Sequence, residues 1–256
     1  MWSIKKNVKL GDVVDMKTIL ITGASSGIGK ACAEMLAQNG SRLVLVARDK
    51  EKLESLSDML PGNHLVIPYD LVELENIKSI MDTVKDNGWK LDGMVHSAGV
   101  DVTCPIKVNS IPLMIQAMTV NCFAFYELGK WFYSAKYSNA ESSIVAISSI
   151  ASQLCQQGQG PYSASKAALN SVVKTMSKEF VRRKIRVNAV LPAGVGTPMA
   201  EDKSRMLTGL DASGDEKAVQ PLGLITPQSV AESVNFLLSN KSMYVTGELL
   251  TISAGY

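Results

Sequence analysis

Short apolar runs alternate with longer amphipathic segments over most of the chain, and this alternation limits the fold more than any other feature. The runs that predict β-strands are 18–22, 43–47, 65–68, 93–96, 144–148, 186–190 and 249–252. The segments that predict helices lie near 28–39, 49–60, 73–87, 112–136, 162–182 and 227–239. Several strand runs are continuously apolar, which is typical of strands covered on both faces. Repeated units of this kind predict an α/β fold with a parallel sheet and right-handed crossovers.

The length of the chain fits one domain. Its 256 residues can bury a large core, and 46% hydrophobic with 20% charged residues is ordinary for a soluble globule. We expect residues 1–16 to form an N-terminal extension and residues 17–256 to form a single domain. Residues 199–222 mix charges, glycines and methionines, and are expected to form a lid over a substrate.

Charge, hydropathy and cysteine usage argue against several classes of protein. A net charge of +2 gives no reason to expect nucleic acid or an anionic membrane as a partner. No apolar run approaches the ~20 residues needed to span a bilayer, and the N-terminus lacks the apolar core of a secretory signal. The four scattered cysteines and two histidines suggest neither a metal site nor a disulfide framework. We therefore expect a cytoplasmic protein with reduced thiols.

A glycine-rich turn follows the first predicted strand and opens a helix. It reads Thr22-Gly23-Ala24-Ser25-Ser26-Gly27-Ile28-Gly29. Glycines permit a tight turn and let the backbone approach a pyrophosphate, to which the helix N-terminus offers N–H groups and partial positive charge. Alone this pattern is a weak signal, but its place between a strand and an amphipathic helix indicates a dinucleotide site.

Tyr162 and Lys166 are the first candidates for chemistry. They stand four residues apart in a run that favours helix, so their side chains share a face with Cβ atoms about 5–6 Å apart. A free tyrosine has a pKa of about 10, and a neighbouring ammonium is expected to lower it towards working pH. Such a pair suits acid–base catalysis, although the same spacing occurs by chance in many helices.

Other residues of the chain strengthen the interpretation of Tyr162 and Lys166 as catalytic. Ser149 lies 13 residues before Tyr162 at the end of an apolar run, with Ser148 as its rival, and Asn121 lies within a predicted helix. With the glycine-rich turn, these residues resemble the short-chain dehydrogenase/reductase family over roughly residues 17–255, in the family's order. The resemblance implies a three-layer, doubly wound Rossmann fold with a seven-stranded parallel sheet.

The resemblance also implies an activity: reversible hydride transfer between a nicotinamide and a carbonyl or secondary alcohol. Tyr162 would be the acid/base, and Ser149 would donate a hydrogen bond to the same oxygen. Lys166 would hold the nicotinamide ribose, and Asn121 would disturb its helix and anchor a water in the proton path. Relatives commonly pair through the helices that carry Asn121 and Tyr162, so a homodimer or homotetramer is expected.

The cofactor contacts follow from the same resemblance. Asp70 matches the position that binds the adenine amino group, although it could equally cap the next helix. His96 and Ser97 replace two asparagines of the family's pattern, and His96 is interpreted as a buried, hydrogen-bonded histidine rather than a catalyst. The contacts implied are Gly23, Ser25, Ser26, Gly27, Ile28, Gly29, Arg48, Asp70, Leu71, Ser97, Ala98, Gly99, Tyr162, Lys166, Pro192, Val195 and Thr197.

The end of the second predicted strand bears on the choice between NADP(H) and NAD(H). Ala47 stands where NAD-preferring relatives usually carry aspartate, and Arg48 follows it. An arginine here accommodates a 2′-phosphate, whereas an acidic residue bonds a 2′-hydroxyl. Asp49 could be argued the other way, but as a helix cap it is neutral in this choice. The sequence favours NADP(H), with NAD(H) as the alternative and with Arg48 as a plain surface charge left open.

The substrate is the least constrained part of the prediction. The pocket wall is expected to contain Val100, Asp101, Ala151, Gln153, Leu154, Cys155 and Gln156. Its glutamines and Asp101 favour a polar, hydrogen-bonding substrate, which fits a 3-oxoacyl thioester on a carrier protein or a sugar or sugar nucleotide. A function of a different class also stays open, a dinucleotide-binding redox sensor without catalysis.

Overall fold

The computed structural model describes residues 16–200 and 220–256. Apart from Met16, the predicted N-terminal extension lies outside the described residues, as does most of the predicted lid. The strands are β1 (Thr18–Thr22), β2 (Arg42–Ala47), β3 (Leu65–Pro68), β4 (Leu91–His96), β5 (Ser138–Ile147), β6 (Arg186–Pro192) and β7 (Leu249–Ile252). The α-helices of the described residues are α1 (Gly27–Gln38), α2 (Lys50–Met59), α3 (Lys78–Asp86), α4 (Ile111–Met118), α5 (Ala124–Phe132), α6 (Ala151–Leu154), α7 (Gly160–Phe180) and α8 (Pro227–Leu238).

The strands form one parallel sheet of seven in the order β3-β2-β1-β4-β5-β6-β7. The chain builds outwards from β1 to β3, then returns to place β4 on the other side of β1. Ligands of open α/β sheets bind at such a reversal, outside the carboxyl ends of the strands. The predicted doubly wound fold is confirmed, and its topology points to the ends of β1 and β4.

Alternate residues of the central strands face opposite helical layers. Leu20 and Val44 belong to a buried cluster with α3, α5 and α7, whereas Ile19 and Leu43 belong to a second cluster with α1, α2 and α8. Strands covered in this way must be apolar at successive positions, which explains why the strand runs in the sequence are continuous rather than alternating.

The predicted helix 112–136 is interrupted. Helices α4 and α5 are separated by a π-helical turn, Thr119–Phe123, which contains Asn121. This bears out the expectation that Asn121 disturbs its helix, and π-helical turns of this kind are frequent at functional sites.

The same segment corrects an expectation about membranes. By length and composition Ile111–Phe132 could cross a bilayer, although the sequence analysis expected no run of that length. In the structure Phe125, Leu128 and Phe132 of α5 pack into the core. A core helix passes the same test of length and composition, so this segment is weak support for a membrane span.

Candidate active site

The carboxyl ends of β1, β4, β5 and β6 surround a cavity of about 630 Å³. This volume lies in the range of small-molecule sites, about 300–1,000 Å³. One end is lined by the turn after β1 and the segment after β4, and the other by the segments around α6 and the C-terminus. The predicted residues that line it are Gly23, Ser26, Gly27, Ile28, Ser97, Ala98, Gly99, Asp101, Ser149, Ala151, Leu154, Gln156, Tyr162, Lys166, Pro192, Val195 and Thr197.

The turn after β1 is shaped in a way that only glycine allows. Gly23 has φ +67°, and a Cβ atom there would lie 2.8 Å from the backbone of Ala98. A Cβ atom on Gly29 would lie 2.2 Å from the carbonyl oxygen of Gly23. The turn, the first turn of α1 and the segment after β4 are therefore packed backbone against backbone at this end of the cavity.

Helix α1 points its N-terminus into this end of the cavity. Its N-cap, Ser26, makes no side-chain capping bond, and the helical bonding starts with the Lys30 N–H on the Ser26 carbonyl at 3.1 Å. The earlier N–H groups of a helix have no intrahelical partner, and they favour an anion. Ser26, Gly27 and Ile28 all line the cavity, so the residues present fit the pyrophosphate of a dinucleotide.

Tyr162 and Ser149 both line the cavity. The Ser149 side chain acts on the phenol so as to lower its pKa, while Ser149 Oγ accepts from the Ala151 N–H at 3.1 Å. Ser148 is buried, and its hydroxyl points to the Lys166 carbonyl oxygen at 3.4 Å. Of the two adjacent serines, Ser149 is therefore the one placed against the phenol.

Lys166 lies below Tyr162 and is almost fully buried. Its Nζ donates to the Ile147 carbonyl oxygen at 2.8 Å, and it lies 5.8 Å from the centre of the Tyr162 ring. Burial lowers the pKa of Lys166 to about 8, against the opposing effect of the Asp101 charge. The amine thus binds the end of β5 rather than the phenol oxygen.

Burial also dominates the behaviour of Tyr162. It raises the pKa of the phenol to about 12, the Ser149 hydrogen bond lowers it, and the Asp101 charge raises it. The expected lowering of the tyrosine pKa by Lys166 is not found, because the charge that acts on the phenol is that of Asp101, which raises the pKa in the same direction as burial. At neutral pH Tyr162 is a phenol that holds its proton.

Asn121 is fully buried beneath the cavity and joins its walls. Its Oδ1 accepts from the Val100 N–H at 2.8 Å, and its Nδ2 donates to the Val100 carbonyl at 3.0 Å and to Ser165 Oγ at 2.8 Å. A Cβ atom on Gly99 would lie 3.2 Å from Asn121 Oδ1 and 3.4 Å from Lys166 Nζ. Asn121 therefore holds the segment after β4 against α7, and its role in a water-mediated relay stays a prediction.

Comparison with known proteins identifies the family to which the chain belongs. A family model described as enoyl-(acyl carrier protein) reductase matches residues 23–256. The 3-oxoacyl-[acyl-carrier-protein] reductase FabG of Thermotoga maritima is 33% identical over 247 residues, 93% of this chain and 97% of that protein. The chain belongs to the short-chain dehydrogenase/reductase family. Its members are oxidoreductases, and membership implies a nicotinamide dinucleotide cofactor.

Two further similarities broaden the picture of the family. Carbonyl reductase family member 4 of Danio rerio is 32% identical over 240 residues, 92% of this chain and 96% of that protein. A crystal structure described as a short-chain dehydrogenase/reductase, glucose/ribitol dehydrogenase, from Brucella melitensis has a TM-score of 0.85. It is 27% identical in sequence and covers 93% of this chain and 96% of its own.

Some residues expected at the family's cofactor site lie outside the cavity. Arg48 is exposed at the end of β2. The Asp70 carboxylate accepts from the Val72 N–H at 3.1 Å within its own turn, and Leu71 is buried in the core. Ser25 lines a second, smaller cavity beside α2. Asp49 caps α2 by accepting from the Lys52 N–H at 3.1 Å, as expected.

The substrate end also differs from the expectation. Val100, Gln153 and Cys155 do not line the cavity, although they were predicted there. The cavity is lined instead by residues outside the predicted pocket wall, among them Gln159, Leu224 and Tyr256, and by Gln220 from the predicted lid. Gln156 contacts the Tyr256 hydroxyl, a partner 100 residues away in the chain that no local pattern signals.

His96 is a structural histidine, as predicted, and it connects β1, β4 and the π-helical turn. His96 Nε2 faces the Val120 carbonyl at 3.3 Å, and because a carbonyl only accepts, Nε2 carries the proton. His96 Nδ1 then accepts from the Thr22 hydroxyl at 3.0 Å, and Thr22 Oγ1 itself accepts from the Ala98 N–H at 3.2 Å. Burial, with a smaller effect of the Lys166 charge, lowers the pKa of His96 to about 3.

We expect Gly23→Ala to weaken binding of the nicotinamide dinucleotide by at least about tenfold, because the added Cβ must displace the Ala98 backbone. Gly88→Ala is the matched control, since Gly88 has φ +73° but nothing within 4 Å of its Cβ position. Both variants incur the left-handed cost of about 1–2 kcal/mol. Isothermal titration calorimetry with NADPH measures the difference, and equal affinities in the two variants would contradict the expectation.

We expect His96 to make stability fall with acid. Its pKa in the folded protein, about 3, lies below its ordinary 6.5, so the unfolded chain gains a proton that the native state cannot take. The contribution of His96 to the free energy of unfolding is complete above pH 6.5. It is lost as the pH falls from 6.5 towards 3, at about 1.4 kcal/mol per pH unit. Urea midpoints of wild type and His96→Asn at about pH 7 and about pH 5 test this. If the loss of stability between about pH 7 and about pH 5 were the same in His96→Asn as in wild type, the expectation would be refuted.

Proposed function

We propose that this protein is an NADP(H)-dependent oxidoreductase that interconverts a carbonyl and a secondary alcohol, with Tyr162 as the acid/base. The observation that carries the proposal is that Ser149 and Tyr162 line one cavity, with Ser149 acting on the pKa of the phenol. The N-terminus of α1 lines the same cavity. A ligand oxygen bound beside Ser149 and Tyr162 would have two hydroxyl groups as hydrogen-bond donors.

The nicotinamide, when bound, supplies the hydride for reduction or accepts it for oxidation. In the reducing direction Tyr162 gives its proton to the oxygen on which negative charge develops. Ser149 donates to the same oxygen, and a donor aimed at developing charge stabilises the transition state more than the ground state. At neutral pH the phenol carries its proton before the reaction, as the donor role requires.

In this proposal Lys166 and Asn121 assist Tyr162 by binding the cofactor and by positioning the backbone around the site. Lys166 is held at the Ile147 carbonyl, next to Gly99, where it can contact the ribose of a bound dinucleotide. Its lowered pKa near 8 suits an amine that exchanges a proton at working pH. Asn121 positions the Val100 backbone beside both groups.

The proposed preference for NADP(H) depends on the end of β2. Ala47 supplies no carboxylate for a ribose 2′-hydroxyl, and Arg48 is exposed and adjacent to it. Asp49 is occupied as the cap of α2, which supports the interpretation that it does not compete for the ribose. The similarity to bacterial FabG proteins supports the same choice of cofactor.

Two substrate classes remain candidates at this level. The Thermotoga maritima relative is named as a reductase of 3-oxoacyl groups on acyl carrier protein, which supports an oxoacyl thioester. The Brucella melitensis neighbour is described as a glucose/ribitol dehydrogenase, which supports a sugar or sugar nucleotide. A cytoplasmic location is part of the same proposal.

A homodimer or homotetramer is proposed as well. Ile111 and Ile115 of α4 and Tyr126 of α5 are exposed, each with more than half of its surface open to water. Large apolar side chains on one helical segment are typical of a surface that another copy covers. The segment is the one that carries Asn121, which the family resemblance implicates in pairing.

We expect Tyr162→Phe to abolish turnover while NADPH binding stays within a few-fold of wild type, because only the hydroxyl group is lost. Loss of a general acid typically lowers the rate by about 10²–10⁴-fold. Steady-state oxidation of NADPH with a panel of carbonyl compounds measures turnover, and calorimetry measures binding. Turnover that survives in the variant removes Tyr162 from the mechanism, and a wild type that binds NADPH but reduces no carbonyl favours the redox-sensor alternative.

We expect Arg48→Ala to lower kcat/KM for NADPH relative to NADH by about tenfold, the contribution of one charged hydrogen bond to phosphate. Arg182→Ala is the control, since Arg182 is also exposed but precedes β6 and so lies near the opposite edge of the sheet. Parallel assays with both cofactors give the ratio. The same NADPH-to-NADH ratio in Arg48→Ala and wild type would mean that Arg48 is only a surface charge.

A further inference from the structure

We infer that Tyr256 selects the substrate: its ring packs against an apolar group carried beside the reacting carbon, and Gln156 holds the ring in place. The inference rests on the proposed function and narrows its substrate class to carbonyl compounds or alcohols with a hydrocarbon or aryl substituent. It is carried by the contact between these two side chains and by exposed apolar residues that line the same cavity as Tyr162.

The contact between Gln156 and Tyr256 joins two distant segments at one end of the cavity. Gln156 Nε2 donates to the hydroxyl oxygen of Tyr256, and both residues line the cavity. Gln156 lies between α6 and α7, whereas Tyr256 follows β7. Because the hydroxyl group is engaged with the carboxamide, the remaining surface of the Tyr256 side chain is its aromatic ring.

The backbone beside both partners adopts an uncommon conformation. The Tyr256 N–H donates to the carbonyl three residues earlier at 3.1 Å, and the residues between them, Ala254 and Gly255, have φ +53° and +89°. Positive φ at both central residues is the mark of a type I′ turn. Cys155, directly before Gln156, has φ +51°. Residues other than glycine rarely adopt such angles, and they keep them where the surrounding structure fixes the chain, often at ligand sites.

The turn that carries Tyr256 is anchored to the rest of the fold. The Ala254 carbonyl accepts from the Leu222 N–H at 3.1 Å, and a Cβ atom on Gly255 would lie 3.2 Å from the ring of Pro221. Just before the turn, the Ile252 carbonyl accepts from the Ala193 N–H at 2.9 Å. The position of the Tyr256 ring at the cavity is therefore built into the fold.

Other large apolar side chains line the same cavity. Leu154, Met199, Leu224 and Tyr256 all line it, and their exposed fractions are 43%, 42%, 50% and 41%. A group of exposed large apolar side chains marks a surface that a ligand or partner covers. Because this group lines the cavity of the candidate active site, the occupant we expect is the apolar part of the substrate.

Polar side chains of the cavity wall are engaged with the protein itself. Gln220 Oε1 accepts from the Gly194 N–H at 2.8 Å, and its Nε2 donates to the Gly194 carbonyl at 3.1 Å. Asp101 Oδ1 accepts from the Thr103 hydroxyl at 2.8 Å. A sugar hydroxyl placed against the apolar residues would lose its water without gaining a partner. A hydrocarbon group gains from the same burial, so the structure argues against the polar substrate that the sequence favours.

The test compares two ketones with NADPH, 2-pentanone and 4-hydroxy-2-butanone, which differ only in the replacement of a terminal methyl group by a hydroxyl group. We expect kcat/KM to be at least about tenfold higher for 2-pentanone, because the hydroxyl group of the other ketone is buried without a partner. In Tyr256→Ala the ratio of the two values should fall by about fivefold, because the ring that contacts the methyl group is lost.

Tyr244→Ala is the matched control for Tyr256→Ala. Tyr244 is 91% exposed and does not line the cavity, so its variant should keep the wild-type ratio. Thermal unfolding of each variant supplies a second readout. A merely structural role for Tyr256 would lower stability and reduce turnover of both ketones equally, with no change in their ratio.

Gln156→Ala tests the positioning role of Gln156. It keeps the ring and removes its hydrogen-bond partner, so the ratio should fall by about twofold, less than in Tyr256→Ala. Gln157→Ala is its control, because Gln157 is exposed and does not line the cavity, and its ratio should equal that of wild type. An unchanged ratio in Gln156→Ala would mean that Gln156 does not position the ring.

The outcomes separate the inference from the proposed function. Equal kcat/KM for the two ketones in the wild type, or a preference for the hydroxyketone, overturns the inference and leaves the oxidoreductase proposal intact. A Tyr256→Ala variant that keeps the full preference for 2-pentanone overturns the role of Tyr256. A wild type that reduces no carbonyl compound with NADPH or NADH overturns the proposed function itself, and the inference with it.

Discussion

The carboxamide of Asn121 is the interaction on which the geometry of the site depends. It pairs with both backbone groups of Val100 and with the Ser165 hydroxyl, and so connects the segment after β4, the π-helical turn and α7. The helix is irregular at Asn121, whose buried carboxamide bonds the Val100 N–H, the Val100 carbonyl and the Ser165 hydroxyl. These three hydrogen bonds compensate the cost of burying the carboxamide.

Burial, rather than pairing of charges, sets the protonation of the site. It raises the pKa of Tyr162, lowers that of Lys166 and keeps His96 neutral, and each shift favours the uncharged form. Electrostatic interactions are stronger beside buried groups than in bulk water, because less water screens them. At neutral pH the phenol is uncharged, whereas Lys166, with a pKa near 8, still carries its charge, and spacing along a helix reveals neither state.

The sequence predicted those features that depend on neighbours in the chain. The strands could be placed because burial on both faces leaves continuous apolar runs, and the glycine-rich turn because two of its glycines have no room for a Cβ atom. It failed where a partner comes from a distant segment. Lys166 contacts Ile147 rather than the phenol oxygen, and Gln156 contacts Tyr256. Burial of Leu71 is likewise a tertiary fact that a motif does not contain.

This division follows the architecture of the cavity. Its floor consists of strand ends and one helix N-terminus. The sheet fixes the positions of these elements, so a sequence that carries the same motifs is expected to build the same floor. The other end of the cavity is lined by the segment from α6 to the start of α7, in which Cys155 and Gly158 both adopt positive φ, and by Gln220, Leu224 and Tyr256 from the C-terminal part of the chain. Because loops tolerate change that strands do not, sequence motifs constrain this end of the cavity least, and they constrain the end built from the strand ends most.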